Sequence, residues 1–506
     1  MKRGAPICLV IPPSAFLLDE RVFMALGILR VAAVLEQHGH AVEVLDLSGI
    51  QNFADVVRLH AESTEADVFG ITATTPQMPA AMEVVNVLRH VRPQARIVLG
   101  GPHVTLVNAA FKNEVKRKQT GRAAAAYRVL ETAFDVLVAG DGDDAIFEAI
   151  RPAARKLIDA DDPKSSLFLT NARYNELPFP ARHLVDVASY HYAIEGVRAL
   201  SLIAQLGCPF ACGFCGGRES PMLRRIRTRD SRKVIAEMRE MYQSFGVRGF
   251  MMYDDELNVS PRMVELMNGL SDLQAEVGAD FRLRGFIKSE LFTDEQAAAM
   301  ARAGFRWILV GFESGAHRIL QNINKRATRD DNTRCIEIAR RHGLKVKALM
   351  SLGHPGESNE TIAQTHDWLL EVRPDDFDVT IITTYPGTPY YDHAQPSQDG
   401  AGIWTYTYEK TGDRLFAQEV DYTKVADYYK GDPDGGYHAY VYTDYLSSDE
   451  LVALRDAAER DVRAALRIPF NPAGRATRFE HSMGQFALPA SILRITDLAT
   501  AGRNAT

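Results

Sequence analysis

Short, densely apolar runs alternate with longer stretches of helical spacing through the first 150 residues. "ICLVIPP" reads as a buried strand ended by Pro12 and Pro13, and "MALGILRVAAVLEQHGH" as an amphipathic helix that stops at Gly39. "AVEVLD", "DVFGIT", "RIVLGG" and "FDVLVAG" follow, each brief and β-rich, with helical stretches such as "PAAMEVVNVLRHV" between them. Five strands alternating with helices predict a parallel, doubly wound sheet over 1–150. Such sheets bind ligands outside the carboxyl ends of their strands. Thr72, Thr74, Gly100, Gly101, Gly140 and Gly142 collect there. Glycine lets a backbone approach a bulky ligand, although each of these alone also reads as a tight turn.

The rhythm lapses over 151–195, where "DADDPKSS" and "NELPFPARH" read as a linker. It returns over 196–395. Strands are predicted in "RALSLIAQLG", "GFMMYDD", "DFRLRGF", "RWILVGF", "KVKALMSLG" and "FDVTIITT". Helices lie between them, among them "DSRKVIAEMREMYQSFG" behind an Asp or Ser cap and "ESNETIAQTHDWLL" behind Ser358. Six strand–helix units predict a partial (β/α)6 barrel, with chemistry at the strands' carboxyl ends. The alternation stops over 396–506. "DYTKVADYYKGDPDGGYHAYVYTDY" packs seven tyrosines, and "LSSDELVALRDAAERDVRAALRI" is an amphipathic helix behind a Ser–Ser–Asp cap. This tail reads as a small, mainly helical cap over the barrel mouth. The fold class is therefore α/β.

Composition narrows the function. The chain has 506 residues, 46% hydrophobic and 24% charged, with a net charge of −7. Nothing in that balance favours nucleic acid or an anionic membrane. No apolar run reaches a membrane span, and the opening is too short for a signal peptide, so a cytoplasmic enzyme is expected. The segment 112–128 carries six basic residues and one acid and reads as a solvated helix face.

Three of the five cysteines fall within "LGCPFACGFCGG", directly after the first barrel strand. Cys208, Cys212 and Cys215 have the spacing C-x-x-x-C-x-x-C. Three thiolates so placed can wrap one corner of a cubane iron–sulfur cluster and leave the fourth iron open. Zinc would want a fourth Cys or His, and disulfides would leave an odd thiol. Cys8 and Cys335 read as small buried apolar residues, and two spare thiols cannot hold a second cluster.

This spacing, with Phe214 before the last cysteine, resembles the radical S-adenosylmethionine (SAM) superfamily. So do "YDDE" at 253–256, "GFESG" at 311–315, "LGHPGES" at 352–358 and "TYPGTPYY" at 384–391. The resemblance implies a 4Fe-4S cluster on Cys208, Cys212 and Cys215 that chelates SAM at its open iron and cleaves it to a deoxyadenosyl radical. It implies SAM contacts from Phe214, Gly217, Asp255, Glu313 and Ser314. Lys288, in "GFIKSE" where relatives often carry Arg, would stand in as partner of the SAM carboxylate. The acidic residues also read individually as turns or helix caps.

"GITATT", "LGGPH" and "AGDGDD" resemble the cobalamin-binding domain found before radical SAM barrels, implying corrin contacts from Thr72, Gly100, Gly101 and Gly140. The first strand ends "VIPPSAF", without the D-x-H-x-x-G histidine that ligates cobalt in many such domains. Cobalamin is thus expected with no histidine on its lower face, and His103 is the nearest candidate elsewhere. The implied function is methyl transfer from SAM by way of cobalamin to an unactivated carbon of a small molecule, with an external flavodoxin- or ferredoxin-like electron donor. An oxidative cyclase or ring-rearranging enzyme with the same cofactors, or a non-catalytic sensor, are the alternatives.

Overall fold

The computed structural model describes residues 5–14, 20–398, 400–426, 428 and 438–469. Six strands build the first sheet: β1 (Ile7–Ile11), β2 (Val42–Asp46), β3 (Val68–Thr72), β4 (Arg96–Gly100), β5 (Val136–Ala139) and β6 (Leu157–Asp159). They lie in the order β2-β1-β3-β4-β5-β6, and every pair is parallel. Helices cover both faces, so β1 and β2 are buried along their whole length; β1 is apolar throughout, whereas β2 buries Glu43 and Asp46. Chain order reverses between β1 and β3, which makes the switch point where such sheets bind ligands. The sheet does not end at residue 150. β6 lies within the segment expected to be a linker, too short at three residues to show any periodicity.

The second sheet contains β7 (Ala193–Ile194), β8 (Val197–Leu202), β11 (Gly249–Met252), β12 (Arg282–Phe286), β13 (Phe305–Glu313), β14 (Lys345–Leu352) and β15 (Asp376–Ile381). A short antiparallel pair, β9 (Gln205–Leu206) and β10 (Arg227–Thr228), brackets the cysteine loop. The order β15-β14-β13-β12-β11-β8-β7 places six parallel strands side by side, with β7 as an antiparallel edge. This is the partial (β/α)6 barrel. Helix Asn359–Val372 starts at Ser358, whose Oγ accepts from the Thr361 N–H while Thr361 answers to the Ser358 N–H. Helix Ser231–Phe245 ends at Gly246 in the left-handed region, φ 64°.

The tail differs from the helical cap expected of it. β16 (Gln395–Pro396), β17 (Ile403–Thr407), β18 (Arg414–Gln418) and β19 (Val441–Thr443) form an antiparallel sheet. "IWTYT" and "RLFAQ" are β-forming but five residues long, and only the turn at Gly412 (φ 75°) shows that they pair. The expected helix is present as Ser448–Leu466, closed by the Ser447–Glu450 capping box. Of the seven tyrosines, Tyr429 and Tyr437 lie outside the described residues, as does everything after 469.

The basic stretch is solvated in part, with Lys116, Arg117, Lys118 and Arg128 exposed, but it also carries an interface. Arg122 is buried, donates to the Tyr391 carbonyl at 2.7 Å and lies 3.6 Å from the Tyr391 ring and 4.4 Å from that of Trp404. Asn113 reaches Glu219 and Asp392, both at 3.2 Å, and Lys112 pairs with Asp159 at 2.8 Å. Helix Pro102–Lys116 thereby docks the first sheet onto the cysteine loop and the "PGTPYYD" turn. No helix among the described residues is long and apolar enough to cross a membrane.

Candidate functional site

The cysteine loop is held by its backbone. Gly207 takes φ 87°, and a side chain there would collide with the Arg225 carbonyl, so only glycine fits. Its N–H donates to Asp255 Oδ2 at 2.7 Å. Arg218 and Asn324 donate to the Ala211 carbonyl at 2.6 and 3.0 Å, Arg224 to that of Pro209 at 2.9 Å, and the Gly213 N–H to that of Ile323 at 2.8 Å. The Lys288 ammonium lies 4.2 Å from the Phe210 ring, inside the cysteine triplet. Phe214 meets His354 edge-on at 5.3 Å, and a side chain at Gly217 would crowd Leu223 at 2.9 Å.

All five cysteines are free. Burial pushes the Cys208 thiol up to about 12 and raises Cys212 as well, so these two are thiols in the loop by itself, while Cys215 is exposed. Cys208, Cys212 and Cys215 do not converge on a point. Among the described residues only Cys8, Glu43 and His60 bring three ligand atoms within 4.8 Å of one another. A single zinc ion needs convergence; a cubane takes each thiolate on a different iron and does not. The donor set therefore fits a cluster with three protein ligands.

Carboxylates ring the loop. Asp254 Oδ1 accepts from the Ala204 and Gln205 N–H groups at 2.9 and 2.5 Å, and burial raises its carboxyl to about 7. Burial likewise raises Glu256 to about 7. Glu313 ends β13 at φ 66°, a conformation that strains a non-glycine residue. Its Oε1 meets Lys325 Nζ at 2.9 Å and its Oε2 accepts from Ser351 Oγ at 2.8 Å. Burial alone would raise Glu313, but Lys325 and Ser351 hold it below the ordinary carboxylate value. Ser351 Oγ also lies 2.8 Å from His354 Nε2, and Tyr390 Oη 3.4 Å from His354 Nδ1. Ser351 has one hydrogen, which goes to Glu313. His354 Nε2–H then donates to Ser351, and Nδ1 is left to accept from Tyr390. The carboxylate thus sets the direction of the whole chain.

Several expected contacts are occupied within the protein. Ser314 Oγ is buried against Thr365 Oγ1 at 3.0 Å and accepts from the Ala316 N–H at 3.1 Å. Asp255 supports the loop from behind. Lys288 Nζ pairs with Glu290 at 2.9 Å and donates to the Lys325 carbonyl at 3.2 Å.

Above β3, β4 and β5 lies an apolar cavity of about 240 Å³. Thr72, Gly100, Gly101 and Gly140 line it, with Gly70 and Gly142. Ile203, Leu206 and Met222, from beside the cysteine loop, line it too. A side chain at Gly100 would meet nothing within 4 Å and would fill the space. At one end Asp141 pairs with Arg227 of β10, and Arg30 binds Asp143 at 2.6 and 2.7 Å. A glycine-floored apolar slot suits the nucleotide tail of cobalamin. His103 is not among its lining. It lines a different cavity, Nδ1 3.1 Å from Thr75 Oγ1, and burial lowers it to about 4, so it stays neutral.

The sequence reading missed Lys325, Ser351, His354 and Tyr390. His354 and Tyr390 sit inside quoted motifs, but nothing in a motif says that they touch. Lys325 follows a six-residue helix and carries no spacing signal.

Residues 202–369 match the family model of the radical SAM superfamily, and residues 20–130 that of the B12 binding domain. The chain is 25% identical over 403 residues to an uncharacterized methyltransferase of Pyrococcus horikoshii, across 77% of this chain and 83% of that protein. It is 26% identical over 365 residues to an anaerobic magnesium-protoporphyrin IX monomethyl ester cyclase of Cereibacter sphaeroides, across 68% of this chain and 55% of the cyclase. Its fold is similar to that of the radical SAM methyltransferase TsrM from Kitasatospora setae, solved with cobalamin and a 4Fe-4S cluster, with a TM-score of 0.62 and 15% identity over 99% of this chain and 100% of that one. The chain carries a radical SAM domain preceded by a B12-binding domain, and these two domains imply a 4Fe-4S cluster, SAM and cobalamin as its cofactors.

Proposed function

We propose that this chain is a cobalamin-dependent radical SAM methyltransferase that methylates an unactivated carbon of a small molecule. One observation carries the reading: the glycine-floored cavity of the B12-binding domain is walled on its other side by Ile203, Leu206 and Met222, which flank the cysteine loop. When bound, the cluster with SAM supplies a deoxyadenosyl radical and the corrin supplies a methyl carrier. The chain supplies position. Cys208, Cys212 and Cys215 hold three irons, and Asp255 and Arg218 fix the loop that carries them. Glu313, held ionised by Lys325, presents a carboxylate to the SAM amino group. Glu256, raised to about 7, holds a proton near neutral pH at the same strand ends. Thr72, Gly100, Gly101 and Gly140 seat the corrin's tail. A flavodoxin- or ferredoxin-like donor delivers the electron.

The test is product balance in anaerobically reconstituted protein with SAM, a reductant and the substrate. One S-adenosylhomocysteine and one deoxyadenosine should form per methyl group transferred. The Cys208→Ala, Cys212→Ala and Cys215→Ala variants should lose deoxyadenosine and keep cobalamin. The similarity to the Cereibacter sphaeroides cyclase favours one second reading, oxidative ring closure; deoxyadenosine without S-adenosylhomocysteine would select it.

A further inference from the structure

Cys8 was expected to be a small apolar residue filling the core. The structure gives it polar company. Cys8 of β1 and Glu43 of β2 are register partners, so their side chains share one face of the sheet. His60, from helix Phe53–Ser63, covers that face. His60 Nε2 lies 3.3 Å from Cys8 Sγ and 3.2 Å from Glu43 Oε2, and all three residues are buried. Ligand atoms bound at 2.0–2.3 Å to one tetrahedral ion sit about 3.3–3.7 Å apart.

One ring nitrogen carries either a hydrogen or a lone pair, never both. As a donor, His60 Nε2 serves one of its two neighbours. As an acceptor, it faces the Glu43 carboxylate lone pair to lone pair. A cation among the three groups satisfies all of them at once. The outer support of such a site is present at Glu43. Thr64 Oγ1 accepts from the Ala66 N–H at 3.1 Å, so its hydrogen goes to Glu43 Oε2 at 2.7 Å and fixes the carboxylate. His60 Nδ1 has no hydrogen-bond partner, so the ring is oriented through Nε2 alone.

We propose that Cys8, Glu43 and His60 form a site for one divalent transition ion, zinc by ligand type, with three protein ligands and water in the fourth position, which staples β1, β2 and the helix Phe53–Ser63 together. A thiolate and a carboxylate neutralise the ion, and binding releases the Cys8 proton to solvent. The site lies at the amino-terminal end of β1, and none of its three residues lines the glycine-floored cavity. It is therefore separate from the cysteine loop and from the corrin seat.

The experiment measures zinc, iron and cobalt together in tag-free holoprotein dialysed against zinc and then against metal-free buffer. One zinc per chain is expected, with one sulfur and three nitrogen or oxygen ligands at the zinc absorption edge. Cys8→Ala and Glu43→Gln should each lose at least ~10-fold in zinc affinity, with iron and cobalt contents unchanged. Glu43→Gln still accepts from Thr64, so it carries the test if Cys8→Ala fails to fold. A wild-type holoprotein that retains no zinc, or equal retention by Glu43→Gln, would overturn the proposal and leave a hydrogen-bonded triad only.

Discussion

Lys325 Nζ lies 2.9 Å from Glu313 Oε1, both side chains nearly out of water and beside Cys212. Burial would lower Lys325, yet the charges of Glu313, Cys212 and Glu256 raise it, so the pair stays ionised. Removing one member of such a pair leaves a buried charge and costs about 3–5 kcal/mol. Lys325→Met should therefore destabilise the protein in chemical denaturation. On the proposed function it should also raise KM for SAM and cut deoxyadenosine formation by ~10-fold or more, since Glu313 is the group proposed to position SAM. Unchanged KM would detach the pair from SAM binding.

Asp255 is a positioning residue for the cysteine loop. Asp255→Ala strands the Gly207 N–H, at about 1–3 kcal/mol if it stays dry. The expected result is a lower iron content after reconstitution with cobalamin retained. Asp255→Asn keeps an acceptor oxygen and should restore the iron. If Asn behaves as Ala, charge matters at Asp255 and the hydrogen bond does not.

Gly100→Leu separates the corrin seat from the fold. A side chain at Gly100 meets nothing within 4 Å and projects on the same face as Val98, into the cavity. The variant should fold, bind iron normally and lose most of its corrin absorbance. Undiminished cobalamin would place the cofactor elsewhere.

Glu357 gives the chain a pH signature. It is fully buried in the "LGHPGES" turn, accepts from Thr361 Oγ1 at 2.6 Å, and burial raises it to about 7. The unfolded chain releases that proton near ~4.3. The folded state thus binds the extra proton, and this contribution is fully present below ~4.3 and lost as pH rises to about 7. Glu357→Gln should flatten the fall in stability between pH 5.5 and 7, measured by denaturant titration. A slope identical to wild type would show that Glu357 ionises normally.

Local order was legible along the chain where it repeats. Short β-rich runs separated by helical spacing marked β1 to β5 and the six parallel barrel strands, because strands covered by helices are mostly apolar, even where β2, β12 and β15 carry charged residues. The three cysteines were legible because their ligand spacing is local. β6 and the tail sheet were not, since pairs of three to five residues are stabilised by neighbours and not by their own pattern. The pairings Lys325–Glu313, Asp255–Gly207 and Asp141–Arg227 join residues 12, 48 and 86 positions apart. Spacing at such distances carries no signal. Which buried charge meets which partner is decided only when the sheets close and water is expelled, because an unpaired charge is then too costly to leave.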